Sequence, residues 1–164
     1  ELEYRCLSLL ALQAPVAGEL RTIVSAIRVV FELARMGDLA AHVAKIARLR
    51  FPESAVPDSL RGNFSRMSEV CLAMIQLANQ SLKDRDAVAA LRMAEIDHEM
   101  DHLRRDHFGV LLGENWSGSV EQAIDVALLG RYFERFADHA VAVARRVIYI
   151  ITGQFPEGEE WPNA

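Results

Sequence analysis

Apolar residues along most of this chain recur in steps of three and four, the spacing of one face of an α-helix. One such seam is Leu60, Phe64, Met67, Cys71, Met74 and Ala78. A second is Met93, Ile96, Met100, Leu103 and Val110, and a third is Val126, Leu129, Phe133, Phe136, Ala140, Val143 and Val147. β-branched residues do not gather in short alternating runs, so an all-α protein is expected. Breakers and caps divide the pattern. Residues 1–14 read as the end of a helix that Ala14-Pro15 interrupts, because a residue before proline avoids the helical region. A helix over about 16–50 follows, roughly 50 Å long at about 1.5 Å per residue. Phe51-Pro52 ends it, and 52–58 is a short linker. Asp58 or Ser59 can cap a helix over about 59–82, and Asp84 one over about 85–112 that Gly113 stops. Ser119 with Gln122 three residues on is a capping-box signature. It opens a last long helix over about 119–152, terminated at Gly153. Residues 154–164, with two prolines and several acids, read as a solvated tail. The helical pattern already running at Glu1, with no cap before it, leads to the expectation that an N-terminal segment precedes it.

The connections are short, so successive helices should pack antiparallel. At an offset of one hundred residues the two long helices match. Ala26, Val29, Leu33, Met36, Ala40, Val43 and Ala47 stand against the third seam, Arg35 against Arg135, Asp38 against Asp138, and Lys45 against Arg145. The shared polar residues carry more weight than the shared seam, which any amphipathic helix shows. A duplicated three-helix bundle accounts for both. Residues 1–52 are then a remnant of the first bundle, lacking its opening helix, and 53–153 form the second. The seam around Val29 and Met36 should be partly uncovered, with a neighbouring chain or disorder compensating.

Half of the 164 residues are hydrophobic, enough for a sizeable core, and the net charge of −5 argues against a nucleic-acid partner. Cys6 and Cys71 lie within apolar patterns and read as buried free thiols of a reducing compartment. The apolar stretch from Val141 to Ile151 is split by Arg145 and Arg146, too short and too charged to span a bilayer. With no signal peptide visible, a cytoplasmic location is expected.

The candidate chemistry is acidic. Glu134 and Asp138 are four residues apart and share a helix face, as do Asp97 and Asp101 on the preceding helix. Arg131 and Arg135 could neutralise the first pair as a surface salt-bridge network. Alternatively, two such pairs on adjacent helices meet at one four-carboxylate patch and hold a hard cation, with magnesium, manganese, calcium and iron all open. The first long helix is poorer, with Ala34 where Glu134 has its counterpart, and Glu32 directed away from Asp38. Glu95-x-x-His98 and Glu99-x-x-His102 resemble a di-iron carboxylate motif, but both copies share one helix and face away from its apolar seam, so solvated side chains are expected. No Gly-rich phosphate loop, nucleophile elbow or Cys-x-x-Cys occurs in the chain.

Pro15-Val16-Ala17-Gly18-Glu19-Leu20-Arg21, Ala34-Arg35-Met36-Gly37-Asp38 and Phe133-Glu134-Arg135-Phe136-Ala137-Asp138-His139-Ala140 resemble the repeated signature of the PhoU proteins, accessory and regulatory proteins of phosphate transport. The resemblance covers nearly the whole chain in order. It implies tandem three-helix bundles and a non-enzymatic role: restraining the phosphate-starvation response as an adaptor between the ATPase subunit of a phosphate ABC transporter and a sensor histidine kinase. It also implies a homodimer and a carboxylate metal cluster of iron, zinc, magnesium or manganese. By position, Glu134, Asp138, Asp97 and Asp101 carry over as metal ligands, and Asp38 in part. Ala34 departs from the acidic residue of the pattern, which weakens the case for a first-bundle cluster. Arg21, Arg28, Arg131 and Arg145 are candidates for exposed partner contacts. The rival readings are a di-metal oxidase or hydrolase, which needs inward-facing His and acid ligands on separate helices, and a plain dimerising scaffold.

Overall fold

The computed structural model describes residues 1–154 and 156. Six helices follow one another: α1 (Leu2–Gln13), α2 (Ala17–Arg50), α3 (Asp58–Asp84), α4 (Ala87–Leu91), α5 (Met93–Leu112) and α6 (Val120–Thr152). Among the described residues there is no strand. The tail expected over 154–164 falls mostly outside the described residues.

The local signals explain most boundaries. Ser119 Oγ accepts the Gln122 N–H while the Gln122 side chain accepts the Ser119 N–H, the reciprocal pair expected of a capping box. Gly153 closes α6 with φ of 79°, a left-handed conformation that glycine adopts without steric cost. Two expectations at helix starts need correction. Asp84 is the last residue of α3 and caps nothing. Arg85 takes the left-handed C-cap position, and Asp86 is the cap of the next helix, its Oδ1 accepting from Val88 N and Ala89 N. That next helix is also not continuous: it breaks at Arg92, so the expected 85–112 element is the single turn and a half of α4 followed by α5. At the start of α3, neither Asp58 nor Ser59 caps. Asp58 is the first helical residue and pairs with Arg61 one turn on, at 2.6 Å.

α3, α4–α5 and α6 form a three-helix bundle. Its centre is a layer of fully buried methionines, Met67, Met74, Met93 and Met100, against Val126, Val143 and Val147. Thioether side chains have many rotamers and fill irregular gaps between helices. The whole predicted α3 seam is buried. In α5 the seam is mixed: Met93 and Met100 are buried, Val110 is exposed, and His107 and Asp97 are buried where the apolar pattern gave no warning.

α2 lies antiparallel to α6 along its full length. Arg21 meets Ile150 near one end, Glu32 meets His139 in the middle, and Arg50 meets Asp125 at the other end. Val29, Met36 and Ile46 of α2 belong to the same core as the three-helix bundle. The partial exposure expected of the seam around Val29 and Met36 is found at Leu33, 41% exposed, whereas α6 covers Val29 and Met36, leaving them 7% and 2% exposed. Leu20, Val24 and Phe31 of α2 are also left in solvent. α1 packs on α2 and buries Cys6 against it, while Tyr4, Leu7 and Leu12 face outward.

Candidate functional site

The two predicted acid pairs are neighbours in space. Asp97 is buried on the inner face of α5, and its carboxyl is pushed up to about 6 by burial, with the charges of Asp101, Asp138 and Glu134 adding to the effect. Asp138 keeps contact with solvent, yet the protein crowding it and the Glu134 charge raise its carboxyl as well. These mutual repulsions tie all four acids into one electrostatic neighbourhood spanning α5 and α6. Beside it is a cleft of about 610 Å³ lined by Glu32 of α2, Asp101 of α5, and Arg131, Glu134, Arg135, Asp138, His139 and Arg145 of α6.

Asp38 is not part of this group. It is exposed on α2 and pairs with Arg35 one turn back, at 3.7 Å. Glu32 instead is the α2 carboxylate that reaches the cleft, 2.7 Å from Nδ1 of His139. Its sequence position, six residues from Asp38, gives no hint of this, because the contact is made across the α2–α6 seam.

A hard cation needs several oxygen donors at short range around one point. Among the described residues, no three His, Cys, Asp or Glu side chains are grouped so as to hold a metal ion. The charge of Glu134 is met by cations of the chain itself. Arg104 of α5 lies 2.9 Å from Glu134 Oε1, and Arg131 contacts Glu134 Oε2. Arg145, whose guanidinium is shifted downward by burial, stands close enough to Asp97 for that charge to oppose the shift. As they stand, these side chains do not fit a metal cluster.

His98 and His102 are exposed, and Glu99 is held by Arg66 at 2.6 Å, with its carboxyl below the ordinary range because of that contact. The resemblance to a di-iron motif therefore does not become an inward-facing ligand set. Of the four arginines expected as open contacts, Arg28 is exposed. Arg21 instead donates to the Ile150 carbonyl and lies over the Tyr149 ring, Arg131 is engaged by Glu134, and Arg145 is half-buried.

Sequence reasoning missed the polar locks that position α5 and α2 on α6. His107 is fully buried, its ring against Phe64 and its Nδ1 at 3.2 Å from the Leu103 carbonyl. Burial lowers its basicity, which favours the neutral ring. It fits only because α6 has Gly130 opposite, where a Cβ would lie 2.2 Å from the ring. A glycine in the middle of an otherwise regular helix was the available signal. At the far end of α2, Arg50 grips the buried Asp125 with two nitrogens and Glu121 with a third. Such a forked contact suits guanidinium geometry. Cys6 and Cys71 are both free and buried, and burial pushes the Cys71 thiol up to about 12, so it is no nucleophile at neutral pH.

Fold and site together define an all-α protein of tandem bundles whose last helix carries a guarded acidic cleft. The PhoU domain model matches residues 1–47 and 64–147, and the chain belongs to the PhoU family. It is 49% identical over 156 residues to the phosphate-specific transport system accessory protein PhoU homolog 1 of Mycobacterium leprae, a match covering 95% of this chain and 70% of that protein. It is 51% identical over 148 residues to PhoU homolog 2 of Mycobacterium tuberculosis, covering 90% of this chain and 70% of that one. Among solved structures, the crystal structure of PhoU from Pseudomonas aeruginosa superposes with a TM-score of 0.81 at 27% identity, over 91% of this chain and 72% of that one. The phosphate transport system regulatory protein PhoU from Streptococcus pneumoniae gives 0.82 at 23% identity, over 94% and 72%, a likeness of fold.

Proposed function

We propose that this chain is a regulator of phosphate homeostasis that links the ATPase subunit of a phosphate ABC transporter to a sensor histidine kinase and restrains the phosphate-starvation response. The observation that carries this reading is identity of about half over nine-tenths or more of the chain to relatives named as phosphate-specific transport system accessory proteins. The fold suits an adaptor. Among the described residues no helix is long and apolar enough to cross a membrane. The reading accordingly puts the chain in the cytoplasm, reaching the membrane through its partners. The α1–α2 side presents Tyr4, Leu7, Leu12, Val24, Phe31 and Leu33 to solvent, an apolar surface of the kind that marks protein contacts. In this reading a second copy or a partner helix covers that side.

Such a protein acts by unequal affinity. It can shift a kinase between states only by as much as its binding energies to those states differ, and about 5.5 kcal/mol of difference carries an equilibrium from 1:99 to 99:1. Large faces of packed helix supply such differences without any chemical step. The test is co-purification of the full chain with the transporter ATPase and the kinase, in high and low phosphate, beside a phosphate-starvation reporter in a strain lacking the gene. The proposal expects retention of at least one partner and a reporter that stays on in phosphate-rich medium. Retention of neither partner together with a normally repressed reporter would sink it.

A further inference from the structure

Glu134 is one of the four acids, and its side chain is only 12% exposed. Both of its carboxylate oxygens are taken: Oε1 by Arg104 from α5 at 2.9 Å, Oε2 by Arg131 from one turn earlier on α6. Arg104 is held in place by more than this contact. Its guanidinium carbon lies 5.6 Å from the centre of the Phe108 ring, and its Nε is buried. A third guanidinium, that of Arg145, stands within the field of Asp97. A metal ion ligated by Glu134 would first have to displace an arginine from one of its oxygens. It would then share a small volume with the displaced positive charge, which opposes its binding by Coulomb repulsion.

We infer that arginine takes the place of metal in this chain: Arg104 and Arg131 occupy both oxygens of Glu134, and Arg104 clasps α5 to α6. A guanidinium keeps its charge throughout the accessible pH range and forms two-pronged contacts with carboxylates. The clasp therefore needs no supply of metal to close. The same Glu/Asp-x-x-x-Asp spacing that suggests a cation site is served here by a cation built into the sequence, three residues before Glu134 on α6 and three after Asp101 on α5. This inference stands on the geometry of the cleft and is independent of the proposed partners.

The experiment is binding of Mn²⁺ and Zn²⁺ to the full chain, followed by the free-Mn²⁺ electron paramagnetic resonance signal and by a competing Zn²⁺ indicator, beside thermal melts with and without EDTA. The wild type is expected to bind neither ion stoichiometrically at micromolar concentration, and its melting temperature should not move with chelator. The Arg104→Ala/Arg131→Ala pair should gain at least about tenfold in affinity for one of the two ions, the shift that about 1.4 kcal/mol represents. The gain should vanish when Glu134→Gln is added. Tight wild-type binding with a melt lowered by EDTA would overturn the inference. A double variant that folds but gains nothing would overturn it too, because the arginines would then not be what excludes the ion. If the double variant does not fold, the single Arg131→Gln is titrated in its place, and the wild-type chelator comparison decides alone if that fails as well.

Discussion

α2 and α6 are copies of one helix that have met different neighbours. α6 is enclosed by α2, α3, α4 and α5 and buries residues on several faces, from Asp125 to Ile148. α2 touches α1 and α6 and buries a single stripe: Ser25, Val29, Met36, Leu39 and Ile46. Position by position, the polar content follows the neighbour. Gly130 makes room for the His107 ring, while its counterpart Val30 is half-buried at a groove rim. Glu134 receives arginines from two helices, while Ala34 faces solvent. Asp138 is crowded and its carboxyl raised, while Asp38 is exposed beside Arg35. A residue type inherited by both copies thus acquires chemistry only where a third helix closes over it.

The largest break in that comparison should come from Gly130→Ala. The new Cβ has no free volume against the fully buried His107 ring, and overpacking of this kind costs about 3 kcal/mol, or roughly 6–12 °C in melting temperature at this chain length. Val30→Ala, the matched change in α2, should cost under about 1 kcal/mol; chemical denaturation of the two variants side by side makes the check. Next is Asp125→Ala, which strips a buried carboxylate from the Arg50 fork and should cost about 2 kcal/mol. Its counterpart Ser25→Ala should be neutral or slightly stabilising, because among the described residues the buried Ser25 hydroxyl has no hydrogen-bond partner to lose.

Asp97→Asn sharpens the comparison through pH. The folded carboxyl sits at about 6, above the ordinary 3.8, so the folded state holds this proton more tightly than the unfolded chain does. The wild type therefore carries a penalty that is full well above pH 6, shrinks as pH falls through 6, and is gone only below the ordinary 3.8, by about pH 3. The asparagine variant should be more stable than wild type at pH 7.5, by up to about 3 kcal/mol, with no advantage at pH 3. A variant less stable than wild type at pH 7.5 would contradict this and would mean that a neighbouring cation such as Arg145 depends on the carboxylate. The smallest effect is expected from Asp38→Ala. Its partner is exposed and 3.7 Å away, so the change should stay within about 0.5 kcal/mol at any pH in urea melts.

The sequence made the helices and their order plain, because each seam repeats over many turns and several ends have a cap or a breaker, as at Pro15, Pro52, Ser119 and Gly153. It also paired Asp97 and Asp101 with Glu134 and Asp138, since residues four apart must share a face. What it hid depends on contacts between helices. The break at Arg92 shows no proline or glycine, and Arg85 rather than a glycine takes the left-handed position that ends α3. The depth of Asp97 and His107 could not be read from α5 alone, because the α5 pattern is polar at both positions and it is the neighbouring helices that bury them. Glu32 and Arg104 were passed over for the same reason: each meets its partner on another helix, where sequence spacing carries no information. The cover that α6 gives to Val29 and Met36 was hidden for the same reason, because spacing within α2 does not show that α6 packs along its whole length.

Amide hydrogen exchange on the full chain tests this account most directly. The account predicts that α6 amides from Val126 to Val147 exchange only with global unfolding, while those of α2 from Phe31 to Asp38 open locally and exchange at least about tenfold faster. Equal protection of the two stretches would contradict the claim that their neighbours, and not their shared pattern, set what each copy does.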